Sequence, residues 1–406
     1  MSARGQNPCP KSTSANAKTC LPTEQLEQGP LCLLNQKLDM NLPSKLLYGS
    51  GLVVCGIAVA FSFTKESGQF FLSDFLHFTE SPTMADGNHP PTDGSWRHQL
   101  GSDEFPVEPD RYHLYVGLFC PFAHRVIVTR ELKGLQQFLP MSIVKAYPKD
   151  DGGWRFPATD DEYPGSTIDH LFRSKFLHDV YFKSDKDYKG KYSVPMLWDK
   201  KTNQIVNNES EDIMRMLNTA FNDLLPQGSL RRELNFYPSS LKSQINEISS
   251  WMMPDLNSGV YRAGFADNQE DYEKSCIVVF KTLDRLESML AEHKGPYVLP
   301  GPSMTEIDIK LYTTLVRFDA VYQQHFKLMV RSIRHGYPRL NRWLKNIHWN
   351  VPGVKETTDF KHIKENYTKS HKGVNPLGIT PLGPEPHVEH WTDQDEKWKR
   401  GAEEKL

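Results

Sequence analysis

Residues 111–135 read RYHLYVGLFCPFAHRVIVTRELKGL and decide the fold of this chain. The first nine are mostly aromatic, β-branched or other apolar residues, a composition typical of a buried strand. Pro121 suits the first turn of a helix, where a backbone N–H has no partner within the helix. Apolar residues then recur at helical positions: Val126, Val128, Leu132 and Leu135. The stretch therefore predicts a strand and a helix that meet at Cys120.

The segments that follow extend this unit. A second apolar strand, LPMSIVKAY, ends at residue 147, and a polar stretch containing GGWRF runs to residue 190. Residues 191–210 predict two short strands around a turn, and residues 211–221 predict a helix. The order β-α-β, insertion, β-β-α predicts a thioredoxin-like α/β domain over residues 105–225, with an insertion at about 149–190.

Helical patterns dominate the rest of the chain. An all-α domain is therefore predicted over residues 235–370, and the fold class is α/β plus all-α. Its main helices are predicted in LKSQINEISSWM, EKSCIVVFKTLDRLESMLAEH, TEIDIKLYTTLVRFDAVY and YPRLNRWLKNI. Thr305 and Asp308 form an acidic variant of a capping box at the start of the third. Residues 371–406, rich in proline and charge, are expected to be a loosely held tail.

An N-terminal extension, residues 1–104, precedes the predicted domains. Its first 44 residues are polar without apolar periodicity, so disorder is expected. Residues 46–64 are uncharged, and as a helix they would reach about 28 Å, close to the thickness of a bilayer core. A membrane anchor, a cleaved targeting segment and an over-long gene model all fit this run. The rest of the extension resembles a linker.

Composition limits the function classes. The formal net charge is -2, so no basic field attracts nucleic acid. The six cysteines include no CxxC or CxxH pair, and four lie in the first 55 residues. Neither a disulfide framework nor a metal site is expected. Sparse, unpaired thiols favour a reducing compartment, and the cytoplasm is predicted; mitochondria or a membrane remain alternatives because of residues 46–64.

Cys120 is the candidate nucleophile. A cysteine at a helix N-terminus faces unsatisfied N–H groups and the positive end of the helix dipole, which favour thiolate over thiol. His124 and Arg125 are expected to add positive potential, so a large thiolate fraction is predicted at neutral pH. Residue 123, where dithiol enzymes carry a resolving cysteine, is alanine. An external thiol must then resolve the mixed disulfide, and glutathione is the abundant candidate.

Two further motifs suit a glutathione site. Val194 and Pro195 fit a cis-proline turn that presents backbone groups to an extended peptide ligand. Glu209 and Ser210 precede a predicted helix, where Ser210 is a good N-cap and the N–H groups can receive the γ-glutamyl carboxylate. Glu209 can meet the α-amino group. Each motif alone also has a structural explanation, as a strand-edge proline or a plain helix cap.

The chain resembles the glutathione transferase superfamily from about residue 105 to 370, and more narrowly the Xi class, the glutathionyl-hydroquinone reductases, which are related to omega-like fungal enzymes. The motifs that carry the resemblance are CPFAHR, GGWRFP, SVPMLWD, IVNNES, NSGVYRAGFA and TEIDIKLYTTLVRFDAVY. The resemblance implies that Cys120 takes glutathione from glutathionyl-hydroquinones and that a second glutathione frees it as glutathione disulfide. It also implies a homodimer.

The resemblance assigns roles to several residues. Glutathione would be held by Trp154, Val194, Glu209 and Ser210, while Tyr261 and Tyr322 would hydrogen-bond the oxygens of the aromatic substrate. Physical chemistry agrees, because a phenol O–H can stabilise a phenolate-like leaving group.

Two positions depart from the family pattern. Phe122 replaces a usual tryptophan, and Lys191 stands where an arginine often lies, so a bidentate carboxylate contact would become a point-charge one. Both changes are expected to alter glutathione affinity more than the type of reaction.

Three other functions stay open. A general omega-like thioltransferase or dehydroascorbate reductase would use the same cysteine on other substrates. A membrane-inserting protein like the chloride intracellular channels would use residues 46–64. A non-enzymatic interaction module, as in elongation-factor subunits, would not need Cys120.

Overall fold

The computed structural model of the protein describes residues 96–148, 153–293 and 295–403. The apolar run 46–64 and the first four cysteines lie outside these ranges, and so does most of the predicted extension. In the described part, no helix combines the length and apolarity that a membrane crossing needs. Among the same residues, no three or more side chains of metal-binding types cluster together.

A four-stranded mixed sheet forms the centre of the first part. Its strands are β1 (Tyr112–Val116), β2 (Met141–Ile143), β3 (Met196–Asp199) and β4 (Gln204–Asn207), in the order β2-β1-β3-β4. β1 is parallel to β2 and antiparallel to β3, which is antiparallel to β4. Parallel neighbours need a crossover, and the helix after Cys120 supplies it. The predicted β-α-β and β-β units are confirmed.

Three helices accompany the sheet: α1 (Pro121–Leu132), α2 (Leu177–Ser184) and α3 (Ser210–Thr219). α1 packs against α3, and nine of the twelve residues of α1 are buried. α2 lies within the predicted insertion and was not expected there. Its polar surroundings in the sequence gave no indication of a helix, but Leu177, Val180 and Tyr181 are buried along one face.

Helices make up the second part. They are α4 (Leu230–Glu233), α5 (Lys242–Met252), α6 (Gly259–Gly264), α7 (Gln269–His293), α8 (Glu306–Arg317), α9 (Gln323–His325), α10 (Ile333–Gly336), α11 (Pro338–Asn350), α12 (Phe360–Ser370) and α13 (Asp393–Glu403). Short 3-10 turns cover Asn222–Leu224 and Lys355–Thr357, and π-helical segments cover Met253–Asn257 and Phe318–Tyr322. Every residue of α8 is buried, so this helix is the centre of the second part.

The start of α8 is held by a buried carboxylate. Asp308 Oδ2 accepts the Thr305 N–H at 2.9 Å and the Thr305 hydroxyl at 3.1 Å, which confirms the predicted capping box. Its Oδ1 accepts the Val298 N–H at 2.8 Å and the Trp343 indole N–H at 3.0 Å. Burial raises the pKa of Asp308, although these four donors oppose the shift. One side chain therefore joins the helix cap, the preceding loop and α11.

The prediction of a loosely held C-terminal tail is wrong for residues 371–403. Lys364 Nζ donates to the carbonyls of Leu382 and Gly383 at 2.8 and 3.0 Å. The Trp349 indole N–H donates to the Glu389 carbonyl at 2.8 Å, and Lys345 forms an ion pair with Asp395. The proline-rich segment leaves carbonyls without regular partners, and side chains of α11 and α12 supply donors for them.

We expect Asp308→Asn to lower the free energy of unfolding by about 2–4 kcal/mol, because the amide nitrogen cannot accept the bonds that one carboxylate oxygen accepts. Urea denaturation followed by tryptophan fluorescence measures the change. The matched control is Asp223→Asn, at a side chain that is 94% exposed. Equal stabilities of the two variants would show that the Asp308 network does not stabilise the fold.

Candidate active site

A cavity of about 370 Å³ lies where the N-terminus of α1 faces the helical part. Cys120 and the loop before β3 form one side, and side chains from α6 and α12 form the other. Every residue predicted to hold glutathione lines it: Trp154, Val194, Pro195, Glu209 and Ser210. The structure thus brings together residues that are up to 90 positions apart in the sequence, from Cys120 to Ser210.

Cys120 is the N-cap of α1, as its position before Pro121 predicts. The Ala123 N–H donates to its Sγ at 3.5 Å, and the thiol donates to the Val194 carbonyl at 3.5 Å. The sulfur therefore stands between a helix N-terminus and the loop that carries the proline. The Val194–Pro195 peptide is cis, which confirms that prediction.

The expected large thiolate fraction is contradicted. Burial raises the pKa of the Cys120 thiol above its ordinary value. The backbone N–H groups of Ala123 and Phe122 and the guanidiniums of Arg317 and Arg125 lower this pKa, but removal of the sulfur from water outweighs them. The sequence shows the helix terminus, which lowers the pKa of Cys120. It does not show which residues cover the sulfur, and their effect, which raises this pKa, could not be predicted.

His124 and Arg125 differ in whether they add positive potential at Cys120. His124 is fully buried, and burial together with the Arg317 charge holds its pKa well below the ordinary range, so the ring is neutral. The prediction that His124 adds positive potential is therefore wrong. Arg125 does contribute, because its charge favours the Cys120 thiolate. Its guanidinium carbon lies 4.8 Å from the centre of the Phe122 ring.

Aromatic rings shape the cavity wall beside the sulfur. Trp154 is almost fully buried and packs on Phe119, with ring centres 4.4 Å apart. Phe122 lines the cavity and stacks toward Tyr261 at 6.4 Å, so it preserves an apolar wall as expected. Lys191 does not line the cavity, and its backbone carbonyl accepts the Tyr188 hydroxyl at 3.1 Å. An effect of Lys191 on glutathione affinity stays a prediction.

The N-cap of α3 is Glu209, and the prediction of Ser210 at that position is wrong. Glu209 has the extended backbone of a cap, and its carboxylate accepts the Glu211 N–H at 3.2 Å. Ser210 is the first helical residue, and its hydroxyl donates to the Glu209 carboxylate at 3.2 Å. The Glu209 side chain thus covers part of the helix terminus that a glutathione carboxylate was expected to use.

Three tyrosine hydroxyls form a chain at the opposite wall. Tyr261 and Tyr367 line the cavity, and their hydroxyls are hydrogen-bonded to each other. The Tyr322 hydroxyl lies 3.1 Å from that of Tyr367, and its ring is fully buried outside the cavity lining. Burial raises the pKa of all three phenols, so they act as hydrogen-bond donors.

Tyr367 lines the cavity and Tyr322 does not, and contact between Tyr322 and a substrate stays a prediction. Tyr367 lies on α12, which no motif in the sequence singled out. Tyr367 and His371 both line the cavity and are four residues apart, a spacing that brings side chains to one side near a helix end. That spacing is the signal that could have found them.

Comparison with known proteins agrees with this architecture. Residues 119–220 match the model of the glutathione S-transferase N-terminal domain, and residues 269–346 match that of the C-terminal domain. Glutathione S-transferase omega-like 2 of Schizosaccharomyces pombe is 48% identical over 74% of this chain and 96% of its own. The glutathionyl-hydroquinone reductase YqjG of Escherichia coli is 42% identical over 82% of this chain and 93% of its own.

A solved structure extends the comparison. The Xi glutathione transferase ECM4 of Saccharomyces cerevisiae, in complex with glutathione, is 37% identical with a TM-score of 0.70, over 73% of this chain and 99% of that one. The chain belongs to the Xi class of glutathione transferases. The predicted fold class, a thioredoxin-like domain followed by the helical domain of this family, is confirmed.

We expect the alkylation of Cys120 by iodoacetamide to rise with pH through a midpoint above about 8.5, the value of a free thiol, because burial raises the pKa of Cys120. Peptide mass spectrometry of Cys120 measures the rate apart from the other five cysteines. The Cys120→Ser variant shows how much of the signal does not come from alkylation of Cys120. A midpoint below that of free cysteine would contradict the expected direction.

Proposed function

We propose that this Xi-class enzyme removes glutathione from glutathionyl-hydroquinones. The observation that carries the proposal is the placement of Cys120 and two phenol donors, Tyr261 and Tyr367, around one cavity. A sulfur nucleophile on one side and hydroxyl donors on the other suit a substrate that joins a thiol to a phenol. The relative named a glutathionyl-hydroquinone reductase in Escherichia coli supports the same substrate class.

The glutathione part of the substrate would lie along the thioredoxin-like domain. We assign its binding to Trp154, Val194, Pro195, Glu209 and Ser210, which line the cavity beside Cys120. The Val194 carbonyl and N–H can pair with an extended peptide, as strand edges do. The Ser210 hydroxyl and the N-terminus of α3 can hold a carboxylate once the Glu209 side chain makes room, and Glu209 can hold the amino group.

In the first step, the Cys120 sulfur bonds to the sulfur of the substrate and the carbon–sulfur bond to the ring breaks. Before this attack, the phenolic O–H proton moves to the ring carbon that carries the sulfur, which gives the keto tautomer. The electron pair of the broken carbon–sulfur bond then passes through the ring to the carbonyl oxygen, which becomes a phenolate and takes up the proton that the Cys120 thiol has lost. In the second step, the thiolate of another glutathione attacks the mixed disulfide. Glutathione disulfide leaves and Cys120 is restored, so the two electrons that reduce the ring come from two glutathione sulfurs, one carried by the substrate and one from the free thiol.

The tyrosine chain can stabilise the charge on that phenolic oxygen. Three hydroxyls bring three protons, and the two bonds Tyr322–Tyr367 and Tyr367–Tyr261 use two of them. If Tyr322 donates to Tyr367 and Tyr367 donates to Tyr261, the Tyr261 proton is left to donate to the substrate. Tyr322 then acts through Tyr367 by orienting it. Because burial disfavours the charged form of each phenol, the chain donates a hydrogen bond without losing its proton.

The alternative is a general omega-like thioltransferase or dehydroascorbate reductase, which the omega-like name of the Schizosaccharomyces pombe relative favours. It would use Cys120 and the glutathione wall but not the tyrosines. The homodimer and the cytoplasmic location stay predictions of the family resemblance and of the sparse thiols. Elution near the mass of one chain in gel filtration would count against the dimer.

We expect Cys120→Ser to lower the rate of hydroquinone release by at least about a thousandfold, because the hydroxyl is a poor nucleophile toward sulfur. The assay mixes the enzyme with a glutathionyl-hydroquinone and excess glutathione and follows free hydroquinone by chromatography. Cys276→Ser, at a buried cysteine that does not line the cavity, is the control. Wild-type reduction of dehydroascorbate without hydroquinone release would favour the alternative.

We expect Tyr261→Phe to lower kcat for hydroquinone release about 100-fold, the usual cost of a lost donor to a developing oxyanion. Reduction of a mixed disulfide of glutathione and an aliphatic thiol should change less than threefold, since its leaving group needs no phenol donor. Tyr237→Phe, outside the cavity, is the control. Equal losses on both substrates would indicate damage to the glutathione site rather than a role for the tyrosine chain.

A further inference from the structure

A buried arginine of the helical part holds the loop that carries Cys120. Arg317, at the end of α8, is fully buried. Its Nε donates to the Phe119 carbonyl and its Nη2 donates to the Leu118 carbonyl, each at 3.1 Å. Its Nη1 donates to the Thr313 carbonyl at 2.6 Å and to His124 Nδ1 at 3.1 Å. The two residues directly before the nucleophile are thus fixed by the second domain.

The direction of the His124 bond follows from its other nitrogen. His124 Nε2 lies 2.8 Å from the Thr357 hydroxyl, which donates to the Val354 carbonyl at 2.6 Å. The hydroxyl proton is thereby used, so Nε2–H donates to this oxygen and Nδ1 accepts from Arg317. A neutral His124 is required for this arrangement, in agreement with its lowered pKa.

Arg317 has no carboxylate within ion-pair distance among the residues that the structure describes. Two other buried cations are paired with carboxylates: Arg111 binds Asp199 through three hydrogen bonds, and Lys310 contacts Glu306 at 2.8 Å. Removing a charge from water costs free energy unless a counter-charge or good donors and acceptors replace the water. Three carbonyl oxygens and His124 Nδ1 accept hydrogen bonds from Arg317, but they leave its charge without a counterion.

The groups around Cys120 indicate which anion balances the charge of Arg317. On its own helix, the sulfur faces the N–H groups of Phe122 and Ala123 and the charge of Arg125. From α8 it faces Arg317. The phenols of Tyr261, on α6, and Tyr322, on the π-helical segment Phe318–Tyr322, also lie near it, and burial retains their protons.

The two arginines near the sulfur are not equivalent. Arg125 is also influenced by the carboxylates of Glu209, Glu211 and Glu306. Arg317 instead bonds the two carbonyls directly before Cys120, so a thiolate at Cys120 is the anion within its reach.

We propose that Arg317 is a positioning residue for Cys120, which fixes the loop before the sulfur and supplies the counter-charge of the thiolate formed in each cycle. The inference rests on the proposed role of Cys120 as the nucleophile. It deepens that role, because a residue of the substrate-binding domain then controls the reactivity of a sulfur in the glutathione-binding domain. The packing of the two domains therefore determines how readily Cys120 reacts.

The test is the pH dependence of Cys120 alkylation in Arg317→Met and Arg317→Lys, read by peptide mass spectrometry. In Arg317→Met, loss of the positive charge destabilises the thiolate, so the midpoint should move up by about one pH unit and the rate at pH 7 should fall about tenfold. Arg317→Lys keeps the charge but cannot hold both carbonyls. Its midpoint should move by less than half of the Met shift, while kcat for hydroquinone release should fall about tenfold.

The matched control is Arg130→Met. Arg130 is a buried arginine of α1 that also donates to carbonyls, those of Leu139 at 2.6 Å and Gln136 at 3.3 Å. It does not line the cavity, and it donates to Leu139 and Gln136 rather than to the loop before Cys120. Its loss should lower stability without moving the alkylation midpoint. Circular dichroism of each variant confirms that the compared proteins are folded.

Each outcome decides a part of the proposal. Equal midpoints in Arg317→Met and Arg130→Met would overturn the counter-charge role. Unchanged kcat in Arg317→Lys would overturn the positioning role, and this variant gives a readout even when Arg317→Met does not fold. Alkylation needs no hydroquinone, so a shifted midpoint in an enzyme that releases no hydroquinone would contradict the proposed substrate and leave the Arg317 role intact.

Discussion

The hydrogen bonds from the Arg317 guanidinium to the carbonyls of Leu118 and Phe119 join the two halves of this molecule directly before Cys120, the proposed nucleophile. Arg317 can reach that loop only because α8 is buried along its whole length and begins at the fixed cap around Asp308. A change in the packing of α8 would therefore move the backbone next to Cys120. The nucleophile depends on the helical part as much as on its own helix.

The two parts divide the chemistry between them. The thioredoxin-like part supplies the sulfur and the wall suited to a glutathione peptide, from Trp154 to Ser210. The helical part supplies phenol hydroxyls and the apolar surface opposite. A change in the helical wall can thus alter which thiol adduct is accepted without changing the thiol exchange itself, which is a physical reason why one fold serves several substrate classes.

Burial has opposite consequences for the two kinds of group in the cavity. For the tyrosines, a raised pKa preserves the proton that makes each phenol a donor. For Cys120, the same effect opposes formation of the thiolate, so the site needs positive charge and helix N–H groups close to the sulfur. Burial of the cavity walls thus preserves the phenol donors and at the same time makes a nearby cation important for the thiolate.

The sequence by itself determined the strand–Cys120–α1 junction, the cis Val194–Pro195 turn and the capping box at Thr305, because each depends on residues that are close in the chain. Through local motifs it also pointed to Trp154, Val194, Pro195, Glu209 and Ser210, all of which line the cavity. Tertiary structure alone decided that Tyr367 rather than Tyr322 faces the cavity, that Glu209 caps α3, and that the tail after residue 370 is held by α11 and α12. It also decided the direction of the Cys120 pKa and the partners of Arg317. These properties depend on what covers a group and which distant carbonyl or hydroxyl lies beside it, and neither periodicity nor spacing along the chain carries that information.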